Sequence, residues 1–288
     1  MREPPPRPPV RRRPDVAGLL SLGLALPGLA CSLLVTGLVG RLVLPGAPWL
    51  VPLGWFLSAA VLLVRPVELL LVRLVFGMRR PSPAELFRLA DGWSAVCRAA
   101  GVDPRRYDLL VQDSHEPNAF AAGGRVVAVT GAALRLPPAH LEAVLAHELG
   151  HHLAAHPVVS TVSWWFALPA RAAAFVLGRA FRFVIEVGRA GGGGLGVFAA
   201  LLFALILLSA LAFVSLWLIL TPLLTPLLAL ATRLGELRAD DTARALGYGP
   251  GLVHVLRAWD RPGHPAGWWR RLVATHPPHA ERIARLER

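Results

Sequence analysis

Lysine is absent from this chain: all 30 basic residues are arginine, and set against 18 acidic residues they leave a net charge of +12 over 288 residues. An arginine excess can serve nucleic acid, but no RNA- or DNA-binding motif accompanies it and the aromatics sit mostly in apolar runs, so no nucleic-acid partner is expected. Arginines flanking membrane spans on the cytoplasmic side are the simpler source of the charge. Cysteine is nearly absent as well. Cys31 falls inside an apolar run and Cys97 in a helix-patterned segment, which excludes zinc-finger spacing and argues against a disulfide; both read as buried small apolar residues. Charge as a whole is scarce, at 17% against 55% hydrophobic residues, and the mean hydropathy is +0.52. That balance excludes an ordinary soluble domain and points to membrane spans beside one catalytic domain.

What is present divides the chain into five stretches. Residues 1–15, rich in Pro and Arg, cannot build a core and are expected to be disordered. Residues 16–78 are expected to hold two transmembrane helices. The first uncharged run, Val16 to Gly40, is 25 residues long, too long for the apolar core of a cleaved leader and long enough to span. It reads as a retained anchor with its N-terminus in the cytoplasm. A second uncharged run, Leu42 to Val64, opens on Pro45, Gly46, Ala47 and Pro48, breakers that make a hairpin between the two spans. Arg65 and Glu68, three apart on one helix face, are expected to pair near the exit. Arg79 and Arg80 then return the chain to the cytoplasmic side.

Residues 79–156 read as the first part of a catalytic domain and 233–288 as the second. Between them, 157–232 is an apolar insert expected to form two further spans. Pro83 to Ala100 has helical periodicity, Tyr107 to Gln112 looks like a short strand, and Arg125 to Thr130 is a second strand rich in β-branched residues. Pro137 or Pro138 opens a helix carrying Leu141, Val144, Leu145, Leu149 and Leu153 at i, i+3, i+4 spacing. The predicted class is mainly α with a small β-sheet. Within the insert, Ala190 to Thr232 is 43 residues without a charge. One straight helix of that length would reach about 65 Å, so Thr221-Pro222 and Thr225-Pro226 are expected to break or kink it near its end.

The segment His147-Glu148-Leu149-Gly150-His151 carries the chemistry. On a helix, i and i+4 share a face, so both imidazoles can reach one Zn²⁺. Glu148, one residue after the first histidine, is badly placed to ligate the same ion but well placed as general base toward the water that the ion activates. His152 and His156 are read as surface groups or as neighbours of the site, not as ligands. A catalytic zinc takes three protein ligands and keeps one open position, so a further donor must come from elsewhere. Glu236 and Asp240 lie four apart on one helical face in Arg233–Ala243. Glu236 can ligate the metal while Asp240 orients a ligand histidine from behind.

With these residues the chain resembles the HtpX-like and CAAX prenyl protease type I metallopeptidases. The resemblance rests on His-Glu-Leu-Gly-His followed by an apolar insert and then Glu236-x-x-Ala239-Asp240-x-x-Ala243. It rests also on Pro117-Asn118-Ala119-Phe120-Ala121 ahead of the second strand, on Leu141–Ala146 leading into the motif, and on Thr275-His276-Pro277-Pro278 with Arg282-Ile283. It covers roughly 81–156 and 230–288. It implies an integral-membrane protein of the cell's inner or plasma membrane, with a zincin (gluzincin-like) catalytic domain facing the cytoplasm and one Zn²⁺ per chain. His147, His151 and Glu236 would be the ligands, Glu148 the base, and Asp240 their supporting partner. An extended polypeptide would pair with the strand Val126, Val127, Ala128, Val129, Thr130, with Asn118 beside it. His276 and Arg282 would lie near the site, stabilising the developing oxyanion or bracing the fold.

Because Glu236 must meet the histidines, the chain between them crosses the membrane an even number of times. The expected pair of crossings is about 158–180 and 195–220; the alternative lays 158–189 along the interface as an amphipathic segment. The resulting expectation is a zinc endopeptidase acting on polypeptide substrates at or in the bilayer, as in quality control. The absence of a Ser or Cys nucleophile is no objection, since no covalent enzyme intermediate is needed. Prenyl-protein processing is an alternative within the same chemistry. A signal-transducing peptidase would need a sensor domain that no segment is large enough to supply. A non-enzymatic zinc scaffold would not need Glu148, because structural zinc sites are closed.

Overall fold

A computed structural model describes residues 16–154, 156–190, 194–259 and 277–288. The expectation for residues 1–15 lies outside the described residues. The helices are α1 (Val16–Val43), α2 (Leu50–Ser58), α3 (Arg65–Phe76), α4 (Pro83–Ala100), α5 (Pro138–Leu153), α6 (His156–Phe166), α7 (Leu168–Ala190), α8 (Gly194–Ala245), α9 (Gly249–Trp259) and α10 (His279–Leu286). The strands are β1 (Met78–Arg79), β2 (Asp108–Gln112), β3 (Ala119–Ala122) and β4 (Val126–Thr130). The chain is thus mainly helical with a small mixed sheet. Contacts divide it into two units. One consists chiefly of Ala60–Thr161 and Leu228–Arg288, the other of Leu22–Ala59 and Val162–Leu227.

In the first unit the sheet order is β1-β2-β4-β3, with β2 and β4 parallel and the other pairs antiparallel. Alternation along β4 explains why all five of its residues are buried. Val127 and Val129 face a core with Leu89, Trp93, Val96, Leu141, Leu145 and Leu149, whereas Val126 and Ala128 face a smaller cluster with Val72, Met78 and Leu110. Both sheet faces are therefore covered, one by α4, α5 and α9 and the other by α3. The α4 helix starts on a capping box, Ser82 with Glu85, and ends on Gly101 at φ +69°, bounds that match the hydrophobic period. Cys97 is fully buried on its core face, and burial pushes its thiol up to about 12; Cys31 is buried too, and both are free.

Two local expectations are corrected. Arg65 and Glu68 do not pair with each other by hydrogen bond. Arg65 forks onto Asp108 at 2.7 and 2.8 Å, while buried Glu68 accepts from the backbone N–H groups of Gly124 and Arg125 at 2.6 and 3.0 Å. The helix-neighbour rule gave way to tertiary partners brought in by the sheet. Of the break or kink expected at Pro222 or Pro226, the break does not occur: α8 continues for 52 residues and carries Glu236 in its last turns.

In the second unit, α1 ends before the Pro45–Pro48 turn, where Ala47 N donates to Leu44 O at 3.0 Å and α2 then begins. Trp55 stacks on Trp165 at 4.4 Å between centroids, and Phe56 stacks on Phe166. Gly23–Val43 is the one helical segment among the described residues long and apolar enough to cross a membrane. Leu50–Leu63 and Gly196–Leu205 are shorter apolar segments.

Candidate metal and catalytic site

Helix α5 begins at Pro138, where the missing N–H of proline costs nothing, and its apolar stripe buries Leu141, Leu145 and Leu149 against α4, α9 and the sheet. The other face of its last turns then presents His147 and His151, whose rings meet edge to face at 4.9 Å. The end of α8 lies against this face. Gly150 makes the approach possible, because a Cβ there would lie 2.8 Å from Ala239 Cα and 3.0 Å from Ala239 O.

That approach sets Glu236 beside both histidines. His147 Nε2 is 3.5 Å from Glu236 Oε2, and His151 Nε2 is 3.4 Å from Glu236 Oε1. Ligand bonds of about 2.1 Å around a tetrahedral zinc place neighbouring donor atoms roughly 3.4 Å apart. The separations are therefore those of donors around one ion, and the three donor atoms lie within 4.8 Å of one another. The residues fit a divalent metal of the zinc type.

Behind the donors, Asp240 is fully buried. Its Oδ1 accepts from His147 Nδ1 at 2.9 Å, which leaves Nε2 free to face the metal. Arg282, buried on α10, forks onto Asp240 at 2.7 and 2.8 Å and stands 3.3 Å from Glu236 Oε2. Burial raises the Asp240 carboxyl, but bonds from His147 and Arg282 outweigh it and hold it below the usual carboxylate range. Burial likewise lowers His147, yet the Asp240 and Glu236 carboxylates outweigh it and bring the metal-free imidazole up to about 9. Glu148 is buried, and that burial pushes its carboxyl up.

The remaining predicted residues are placed as follows. Arg282 touches the site through Asp240 and Glu236, so its guanidinium braces the donor set. His276 lies outside the described residues, as does the side chain of His156. Asn118 stands at the start of β3: its carbonyl accepts from Thr130 N and its N–H donates to Thr130 Oγ1, both at 2.9 Å. The expected pairing of an extended substrate with Val126–Thr130 is corrected by the strand order. β4 is flanked by β2 on one side and β3 on the other and has no free edge; the free edge beside α5 belongs to β3. His152 has a partner that the sequence did not indicate. It contacts the Val126 carbonyl at 2.9 Å and the Tyr107 ring edge-on, tying α5 to the sheet, and burial holds its imidazole down at about 4.

A helix bearing His-Glu-x-x-His, with its two imidazoles meeting a carboxylate from a second helix, is the arrangement of a metallopeptidase centre. The profile of peptidase family M48 matches residues 85–288, and the chain belongs to that family. It is 36% identical over 129 residues to a protease HtpX homolog of Aeropyrum pernix and 34% identical over 154 residues to one of Pyrobaculum islandicum. Those matches cover 43% and 48% of this chain and 37% and 42% of the relatives, so the chain spans less than half the length of either. A homolog from Salinibacter ruber is 28% identical over 245 residues, 74% of this chain and 78% of that protein. The crystal structure of S. mikatae Ste24p matches the fold with a TM-score of 0.51 at 18% identity, covering 93% of this chain and 63% of that one.

Proposed function

We propose that this protein is a zinc-dependent endopeptidase embedded in the membrane by several spans, hydrolysing membrane or membrane-associated polypeptides in quality control with its site facing the cytoplasm. The observation that carries the reading is the meeting of His147, His151 and Glu236 at donor spacing, with buried Glu148 on the same helix, in a chain of family M48. A zinc ion held by these three residues supplies Lewis acidity, polarising a carbonyl and lowering the pKa of water. Glu148 takes a proton from the attacking water as its oxygen bonds to the scissile carbon, and delivers that proton to the amine as the C–N bond breaks. Asp240 holds the His147 tautomer, and Arg282 holds Asp240. The substrate backbone adds to the free edge of β3, with Asn118 fixing the start of that strand. Backbone pairing accepts varied sequences, as quality control requires. Two crossings between α5 and the end of α8 return Glu236 to the side of the histidines.

The test is metal content and casein cleavage of detergent-purified protein. Wild type should carry about one zinc per chain and cleave. Glu148→Gln should keep the metal and lose cleavage, whereas Glu236→Ala should lose both. A Glu148→Gln protein with full activity overturns the mechanism, and wild type without zinc overturns the ligand assignment.

A further inference from the structure

The charges of α7 are unevenly placed around its axis. Arg171, Arg179, Arg182 and Glu186, with Phe175 among them, fall within an arc of roughly 80° on a 3.6-residue helix. Alanines, valines and phenylalanines fill most of the remaining circumference, an amphipathic pattern with a narrow polar stripe. The stripe is exposed, and an open concavity of about 660 Å³ lies along it, lined among the described residues by α7 alone, with Phe175, Arg179, Arg182, Phe183 and Glu186 on it. Among the described residues, Arg179 and Arg182 make no hydrogen bond or ion pair, so two guanidinium groups one helical turn apart stand side by side in one concavity, with Glu186 as its one carboxylate. Phe175 and Phe183 flank Arg179 at i−4 and i+4, both well exposed.

We propose that this stripe is a binding site for the head group of an anionic phospholipid. Two guanidinium forks at i and i+3 converge on one phosphate with the planar donor geometry that suits it. The four arginines of α7, three of them with described side chains, against one glutamate favour a lipid of net negative charge over a zwitterionic one. Exposed Phe175 and Phe183 supply apolar surface to the glycerol and upper acyl carbons, beside arginine heads at the end of the α7 crossing. Glu186, at the far end of the concavity, accepts from a hydroxyl of the head group. This rests on the reading of the chain as membrane-embedded, which alkaline carbonate washing of membranes tests separately: an integral chain stays in the pellet whatever lipid α7 binds.

The experiment titrates the delipidated full chain, in neutral detergent, with short-chain phosphatidylglycerol, short-chain phosphatidylcholine or inorganic phosphate, following the melting temperature. Wild type should respond to phosphatidylglycerol at the lowest concentration and not to inorganic phosphate. Arg179→Gln/Arg182→Gln should raise the phosphatidylglycerol half-saturation roughly 30-fold, from about a fivefold contribution per arginine. The exposed pair Arg105→Gln/Arg106→Gln should titrate as wild type. Should the double variant not fold, Arg182→Lys, which keeps the charge and loses the fork, must fall between wild type and no response. Equal response to phosphatidylcholine, an equal response to inorganic phosphate, or wild-type behaviour of the Arg179 and Arg182 variants each overturns the proposal.

Discussion

Asp240 shows how much of the candidate metal centre would depend on a residue outside its donor set. Its carboxylate accepts from His147 Nδ1 and from two nitrogens of Arg282, all of them buried. Asp240→Asn keeps the shape and removes the charge. Arg282, 3.3 Å from Glu236, then has that candidate donor as its remaining carboxylate partner in the site and would compete with a metal for it. Zinc affinity should fall about 10- to 100-fold, read by competition with a chromophoric chelator. An unchanged affinity would show that Asp240 only fills space. At this scale legibility follows sequence distance. His147, Glu148 and His151 are one helical turn of chemistry and are visible as a spacing. Glu236 and Asp240 lie some 90 residues downstream, where a carboxylate pair alone is an ordinary solvated helix face, and only the resemblance singles them out. The partners of Arg65, Glu68 and His152 were hidden, because each is a side chain meeting a strand or turn that the local period does not locate.

Between elements, the contact of α5 with α8 decides whether three donors can share one ion. Gly150 sits at that crossing, and replacing it sets two effects in opposition. Alanine favours the helix by about 1 kcal/mol over glycine. Its Cβ, however, meets the Ala239 backbone at 2.8 Å, where no flexible side chain can give way. Overpacking of this kind costs about 1–3 kcal/mol and moves α8 away from the histidines. Gly150→Ala should therefore lower both the melting temperature and zinc affinity; a rise in melting temperature would mean the helices part freely. Elsewhere in the unit, Arg79 joins β1 to α4 through Glu85 and to the end of β2 through Asp113. Its guanidinium holds the Glu85 carboxyl down at about 2, below the ordinary 4.5. The folded value is the lower one, so this contact's stability is full above about pH 4.5 and fades as pH falls toward 2. Melting temperature plotted from pH 6 to 3 should drop more steeply for wild type than for Glu85→Gln, by a small margin since Arg79 is well exposed. Parallel curves would remove the contact from the acid response. Element types and most bounds were legible from period and caps, as α4 and β4 illustrate. Strand order was not, because pairing partners leave no local mark; hence the substrate strand was expected at β4 although its edges are filled.

At the scale of the molecule, the unit that holds the site is discontinuous in sequence: Ala60–Thr161 supplies the sheet and the histidines, and Leu228–Arg288 supplies Glu236, Asp240 and Arg282. The apolar residues between them belong largely to the other unit. Apolar contacts of α5 with α9 and ion pairs such as Arg285 with Asp241 hold the two segments together without metal. Bound zinc would add a further link between the same segments, in the folded state alone. Linkage then ties stability to free zinc: a ligand at 100 times its dissociation constant stabilises by about 2.7 kcal/mol. Chelation should lower the melting temperature of the detergent-purified chain by a few degrees, and added zinc should restore it. Glu236→Ala should melt at one temperature with or without chelator, because its two imidazoles no longer close the link. If that variant responds to chelator as wild type does, the ion that stabilises the fold sits elsewhere, and the meeting of α5 with α8 is held by packing and the Asp240–Arg282 pair alone.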